Sequence, residues 1–248
     1  MSVVTTTSTR KRSRTPTSSR RLFSGKRFKG VSPMTNRSRV NRMTIQRQTV
    51  YVGRGPVAKK TVVWLKYADN FSSTGAAIDK VYRLNSIFDP DHTGTGHQPL
   101  GRDQYVNFYN RYRVLKVRMK LHVASAYVAD AQPFIVTIVP DNATTAHTSV
   151  TQSAEQQGAS THSPTGGSPG SIVIKRSFDC RKITGVTSKE YQDDRFQALF
   201  STSPAEDIML HITATDYTGG VFAVNIIRFF IELSFQVEMF DPVPLGQS

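Results

Sequence analysis

Residues 112–123 read YRVLKVRMKLHV. From Leu115 onward the odd positions are Leu115, Val117, Met119, Leu121 and Val123, and the even ones are Lys116, Arg118, Lys120 and His122. A period of two sorts these residues onto opposite faces of a strand, one wholly apolar and one wholly basic. The apolar face demands a second layer to pack on. The basic face demands solvent, acidic neighbours or phosphate.

The same period recurs toward the C-terminus. Ile227, Phe229, Ile231, Leu233, Phe235 and Val237 alternate with Arg228, Phe230, Glu232, Ser234, Gln236 and Glu238, and Asp241-Pro242 ends the run because proline lacks a ladder donor. Ile208, Leu210, Ile212 and Ala214 share a face in a further strand. Residues 60–67, 80–85, 133–139 and 171–178 complete the clearer candidates, with a weaker one at 195–201. Helical periodicity is nearly absent: residues 101–110 form the best short helix, and 150–157 can hold a helical turn. The Ser/Thr/Gln/Gly-rich stretch 141–170 reads as an exposed loop. Eight antiparallel strands with uneven connections predict an all-β fold of two packed sheets, a single eight-stranded jelly roll first, with another β-sandwich or a Greek-key barrel as alternatives.

Charge divides the chain differently from hydropathy. The first 68 residues carry 17 Lys or Arg and no acid, whereas the whole chain holds 32 basic and 18 acidic residues, so the net +14 is a strongly basic N-terminus on a slightly acidic body. Residues 1–50 are rich in Ser, Thr and Arg and poor in large apolar side chains, so they cannot offset an ordering cost of roughly 1–2 kcal/mol per residue. They are expected to form a disordered arm, and residues 51–248 a shell-like body. The arm lacks the apolar run of a secretory signal, and its Pro, Gly and Thr content opposes the amphipathic helix of a mitochondrial presequence. Neutralising phosphate needs charge density and no fold. The candidate nucleic-acid contacts are Arg10, Lys11, Arg12, Arg14, Arg20, Arg21, Lys26, Arg27, Lys29, Arg37, Arg39, Arg42 and Arg47, with Phe23 and Phe28 able to stack on bases or dock on protein. Lys11-Arg12-Ser13-Arg14 and Gly25-Lys26-Arg27-Phe28-Lys29 also suit a nuclear localisation signal read by the import machinery.

The single cysteine, Cys180, excludes an intrachain disulfide framework and points to a reducing compartment, with the thiol as a buried small hydrophobe. No run of 18 apolar residues is present, so no membrane insertion is expected.

Asn85-Ser86-Ile87-Phe88-Asp89-Pro90, Thr93-Gly94-Thr95-Gly96-His97-Gln98-Pro99, Asp103-Gln104-Tyr105 and Tyr109-Asn110-Arg111-Tyr112-Arg113-Val114 form a series. With Lys182-Ile183-Thr184-Gly185-Val186, Asp193-Asp194-Arg195-Phe196 and Pro204, it resembles the capsid proteins of small circular Rep-encoding single-stranded DNA viruses over roughly residues 58–240. The resemblance implies a jelly roll similar to that of satellite tobacco necrosis virus, an arm reaching into a shell interior, a T=1 icosahedral homo-oligomer, and a virion protein that passes through the host nucleus. About sixty copies would bring on the order of a thousand positive charges, enough for one to two thousand nucleotides. The preference for single-stranded DNA over RNA rests on the resemblance.

Other chemistry is less well supported. His92 and His97 with Asp89 and Asp91 match no standard ligand spacing, and a Gly/Pro-rich turn explains them, so no resident metal or cofactor is expected. Calcium held by aspartates between subunits is the remaining metal reading. No G-x-S-x-G elbow or G-x-x-x-x-G-K-[ST] loop occurs, and an enzyme is not expected. A cellular nucleic-acid-binding β-domain with a basic tail, of RNA-chaperone or ribosomal type, is the alternative function. For Lys116, Arg118 and Lys120, pairing with Glu232 and Glu238 on a neighbouring strand is favoured slightly over contact with phosphate.

Overall fold

The computed structural model describes residues 56–244, apart from 77, 126–132, 146, 148, 165–169 and 218. The thirteen arm cations and the boundary expected near residue 50 lie outside the described residues.

Nine strands and three short helices follow one another. They are β1 (Lys60–Ser72), β2 (Ile78–Arg83), α1 (Arg102–Val106), β3 (Tyr109–Ser125), β4 (Phe134–Asp141), α2 (Val150–Ala154), β5 (Ser160–His162), β6 (Ser171–Asp179), α3 (Cys180–Thr184), β7 (Ala198–Leu199), β8 (Met209–Asp216) and β9 (Ile227–Pro242). One sheet has the order β1-β9-β3-β6, with β7 paired to β3, and the other has the order β2-β8-β4-β5. The strand pairs are antiparallel, and the chain crosses between sheets at every step except β4 to β5 and β6 to β7. With β7 set aside as an appendage, that interleaving is the eight-stranded jelly roll, and it removes the sandwich and barrel alternatives.

The long alternations form as their period requires. In β9, Ile227, Phe229, Ile231, Leu233, Phe235, Val237 and Met239 are buried against the opposite sheet, which supplies Tyr82, Phe134, Ile138, Leu210 and Ile212. The strand stops at Pro242. In β3 a register shift between Val114 and Lys116 leaves Leu115 as a bulge. Inward residues are therefore even-numbered before it (Tyr112, Val114) and odd-numbered after it (Val117, Met119, Leu121, Val123), while Leu115 itself is only half-buried.

Three expectations are corrected. The weak strand at 195–201 is a 3-10 turn, Asp194–Phe196, followed by the two-residue β7. The apolar spacing of Phe196, Ala198 and Phe200 is real, since all three are buried, but it serves a loop that tucks into one end of the sandwich. The eighth jelly-roll strand is instead β5, inside the stretch read as an exposed loop. Its residues Ser160, Thr161 and His162 carry no apolar signal, and they form an edge strand by pairing with Val136–Ile138. The helix expected over 101–110 spans only Arg102–Val106, because Tyr109 and the residues after it are taken by the β3 ladders.

The segment that carries the family resemblance is a structural clamp. Asn85 donates to the Glu206 carbonyl (2.6 Å) and accepts from the Ile208 amide (3.1 Å), which ties the approach to β2's end onto the approach to β8. Arg102 lies over the rings of Phe88 (5.5 Å) and Phe200 (5.7 Å) and donates to Gln98 (2.6 Å). Tyr112 donates to the Thr202 carbonyl (2.9 Å). Asp89 and Asp91, considered above as ligands, already pair with Arg83 (2.8 Å) and Lys80 (2.7 Å). Gly96 sits where a Cβ would come within 2.8 Å of the Asp91 Cβ and 2.9 Å of the Tyr67 hydroxyl, so the turn needs glycine for close approach. Cys180 is fully buried 3.7 Å from the Leu84 carbonyl, and burial pushes its thiol up to about 12, as expected of a core residue. Among the described residues no helix is long and apolar enough to cross a membrane.

The outer face of the β2-β8-β4-β5 sheet is closed. Register places Val81, His211 and Val139 in one row and Asp79, Thr213 and Thr137 in the next, and the β4–β5 connection packs α2 against β4 and β8. His211 is completely buried here. Burial alone would push its pKa down, but hydrogen bonds from Asp79 and the Ala143 carbonyl outweigh that and hold it above the ordinary histidine value.

Candidate nucleic-acid interface

The outer face of the β1-β9-β3-β6 sheet is open, and its register builds a grid. Trp64, Gln236, Lys116 and Asp179 stand abreast across the four strands. The next rows are Lys66, Ser234, Arg118 and Ser177; Ala68, Glu232, Lys120 and Lys175; and Asn70, Phe230, His122 and Val173. Five cations, Lys66, Lys116, Arg118, Lys120 and Lys175, thus lie within three consecutive rows. Trp64 (42% exposed) and Phe230 (43%) offer aromatic faces beside them. Arg118 reaches across the small Ser234 of β9 and lies 4.4 Å from the centre of the Trp64 ring. A groove of about 420 Å³ runs between Arg118, Lys120, Lys175 and Ser177.

Only part of the expected charge pairing is present. Lys120 meets Glu232 at 3.2 Å, with both side chains about 40% exposed, and the His122 Nε2 lies 3.7 Å from the same carboxylate. Glu238 does not serve the row: Arg113, almost fully buried, holds it at 2.9 Å, and Lys60 at 3.3 Å. The bulge at Leu115 explains this, because it places Arg113 rather than Lys116 opposite Glu238. Arg118 has an indole in place of an acid. Lys116 has no ion pair among the described residues, although Asp179 stands opposite on β6. That carboxylate instead caps α3 by accepting from the Lys182 amide (3.3 Å).

Sequence reading of β3 alone missed Trp64, Lys66 and Lys175. The signal was present in β1, where Lys60, Val62, Trp64 and Lys66 share a parity opposite to the buried Leu65 and Tyr67. Large apolar residues at outward positions are informative when they sit among cations, since an aromatic beside a cationic row suits unpaired bases on a phosphate backbone.

The strand order and this cationic sheet define the class: a viral-type jelly-roll β-sandwich with one open basic face. No family model matches the sequence, and no curated protein matches it. Among solved structures the chain is similar to the decameric BFDV capsid protein, with 12% identity, coverage of 73% of this chain and 98% of that one, and a TM-score of 0.39. It is also similar to the empty head of turnip yellow mosaic virus (11% identity, 78% and 87% coverage, TM-score 0.43). A third is the semi-empty particle of the Macrobrachium rosenbergii nodavirus of giant freshwater prawn (11% identity, 79% and 100% coverage, TM-score 0.42). Likeness at such identities concerns the layout of strands, not what a chain binds.

Proposed function

We propose that this chain is a viral coat protein that self-assembles into a small icosahedral shell and packages single-stranded nucleic acid, DNA in preference to RNA, through its N-terminal arm. The observation that carries the reading is the joining of two features in one chain: a jelly-roll strand order and an acid-free stretch of 68 residues bearing 17 cations. Folding needs no such segregation of charge, whereas condensing a polyanion does. The basic outer face of the β1-β9-β3-β6 sheet continues the same surface into the wall, with Arg118 and Trp64 positioned for phosphate and base. Nothing in the arm suggests base readout, so affinity falls steeply with salt and is indifferent to sequence. The two basic clusters of the arm deliver the protein to the host nucleus.

Electron microscopy and nuclease protection of the purified full chain test this. Uniform closed shells holding protected single strands are expected. A soluble monomer that selects RNA by sequence overturns the reading in favour of a cellular RNA-binding domain. Removal of residues 1–50 should leave shells that package less than a tenth of the nucleic acid.

A further inference from the structure

Under the β4–β5 connection lies a cluster that the coat-protein reading does not use. His147 and His211 stack at 4.2 Å between ring centres, with planes 3° apart, and each is held by its Nδ1. His211 Nδ1 faces both carboxylate oxygens of Asp79 at 3.2 Å. His147 Nδ1 faces Ser153 Oγ at 3.1 Å, and Ser153 donates its own proton to the Ser149 carbonyl (2.9 Å), so this nitrogen is the one that carries hydrogen. The Nε2 atoms remain. That of His147 lies 3.5 Å from Asp141 Oδ2, and that of His211 lies 3.0 Å from the Ala143 carbonyl. One ligand atom each from Asp141, His147 and His211 falls within 4.8 Å of the other two.

We propose that Asp141, His147 and His211 form a site for a divalent transition-metal ion of the zinc class, with Asp79 and Ser153 orienting the two imidazoles and a water or the Ala143 carbonyl completing the shell. Tetrahedral zinc with bonds of about 2.0–2.1 Å holds its ligands a little over 3 Å apart, close to the separation already present between His147 and Asp141. An imidazole whose far nitrogen donates to a carboxylate is the usual arrangement of a histidine ligand. Two nitrogen donors disfavour calcium and magnesium.

Charge balance favours the ion over the purely protonic cluster. Two carboxylates, Asp79 and Asp141, meet two imidazoles. A single imidazolium at His211 leaves one negative charge unbalanced, and two imidazoliums would lie face to face. One divalent ion balances both acids and leaves both rings neutral. A hydrolytic reading of Ser153-His147-Asp141 fails because Ser153 is completely buried and its proton is already donated. The ion would fasten the loop of residues 141–153 onto β8.

The test uses the full chain, stripped with a chelator and dialysed against micromolar zinc, with cobalt as a spectroscopic substitute. About one equivalent per chain is expected, together with the visible bands of tetrahedral cobalt and slowed hydrogen exchange over residues 142–153. His147→Gln and Asp141→Asn should each weaken uptake more than tenfold, and Asp79→Asn about tenfold. If His147→Gln does not fold, Asp141→Asn, whose side chain is a quarter exposed at the loop edge, carries the comparison. No uptake by the wild type, or uptake unchanged in these variants, overturns the site. Either result leaves shell assembly untouched, so it is distinguishable from failure of the coat-protein reading.

Discussion

On the β2-β8-β4-β5 sheet the outward side chains Val81, Thr137, Val139, Met209, His211 and Thr213 are all buried, whereas on the β1-β9-β3-β6 sheet Val62, Trp64, Arg118 and Phe230 stand in solvent. Both sheets fill their inner faces by the same alternation, so the inner faces account for the fold and the outer faces for what the fold is used for. A covered face lets polar groups become structural, because burial makes every hydrogen bond obligatory. An open face leaves cations weakly committed, because exposed pairs contribute little and stay available to a polyanion.

The covered face should therefore be the fragile one. Asp79 receives the His147 amide at 2.7 Å as well as His211, and it is itself nearly buried. With a chelator present, Asp79→Ala should destabilise the chain by about 3 kcal/mol, since it leaves a buried imidazole and an amide without their acceptor. Urea unfolding measures this, and a loss under about 1 kcal/mol would show that the β4–β5 connection is not a structural cover. Gly96→Ala comes next. The Asp91 Cβ and Tyr67 hydroxyl cannot both retreat, so overpacking should cost about 1–3 kcal/mol and loosen the Lys80–Asp91 pair.

How much of this could be read in advance depends on which face a residue serves. The inner faces of β3, β8 and β9 were legible because burial against another sheet enforces period two over many residues. The bulge at Leu115 was not: a single extra residue flips parity without altering composition, and it moved Glu238 from Lys116 to Arg113. β5 was illegible because an edge strand of Ser, Thr and His is specified by its partner's ladder and not by its own side chains. The His147–His211 stack joins residues 64 positions apart through a loop without pattern. Only the topology, which sets Asp141 and His211 on one outer face, brings them together.

On the open face, expected effects on folding are small and those on binding larger. Lys116→Ala with Arg118→Ala should alter stability by less than about 1 kcal/mol, most of it from the lost Arg118–Trp64 contact. If both cations meet phosphate, the salt dependence of single-strand binding should flatten by about 1.4 in slope, near 0.7 for each contact removed. Unchanged nucleic-acid content with a weaker shell would reverse the comparison and make this face a structural one.

The smallest effect separates a wall from a binding surface most finely. Lys120 and Glu232 pair at 3.2 Å, but both are exposed, and His122 competes for the same carboxylate. A double-mutant cycle between Lys120→Ala and Glu232→Ala should give a coupling of about 0.2–0.5 kcal/mol that vanishes in high salt. Glu232→Ala alone should raise affinity for single strands, because it removes an acid from the middle of the cationic rows and frees Lys120. If the coupling instead exceeds about 1 kcal/mol and Glu232→Ala weakens binding, the pair is part of the wall and the open face is smaller by one cation.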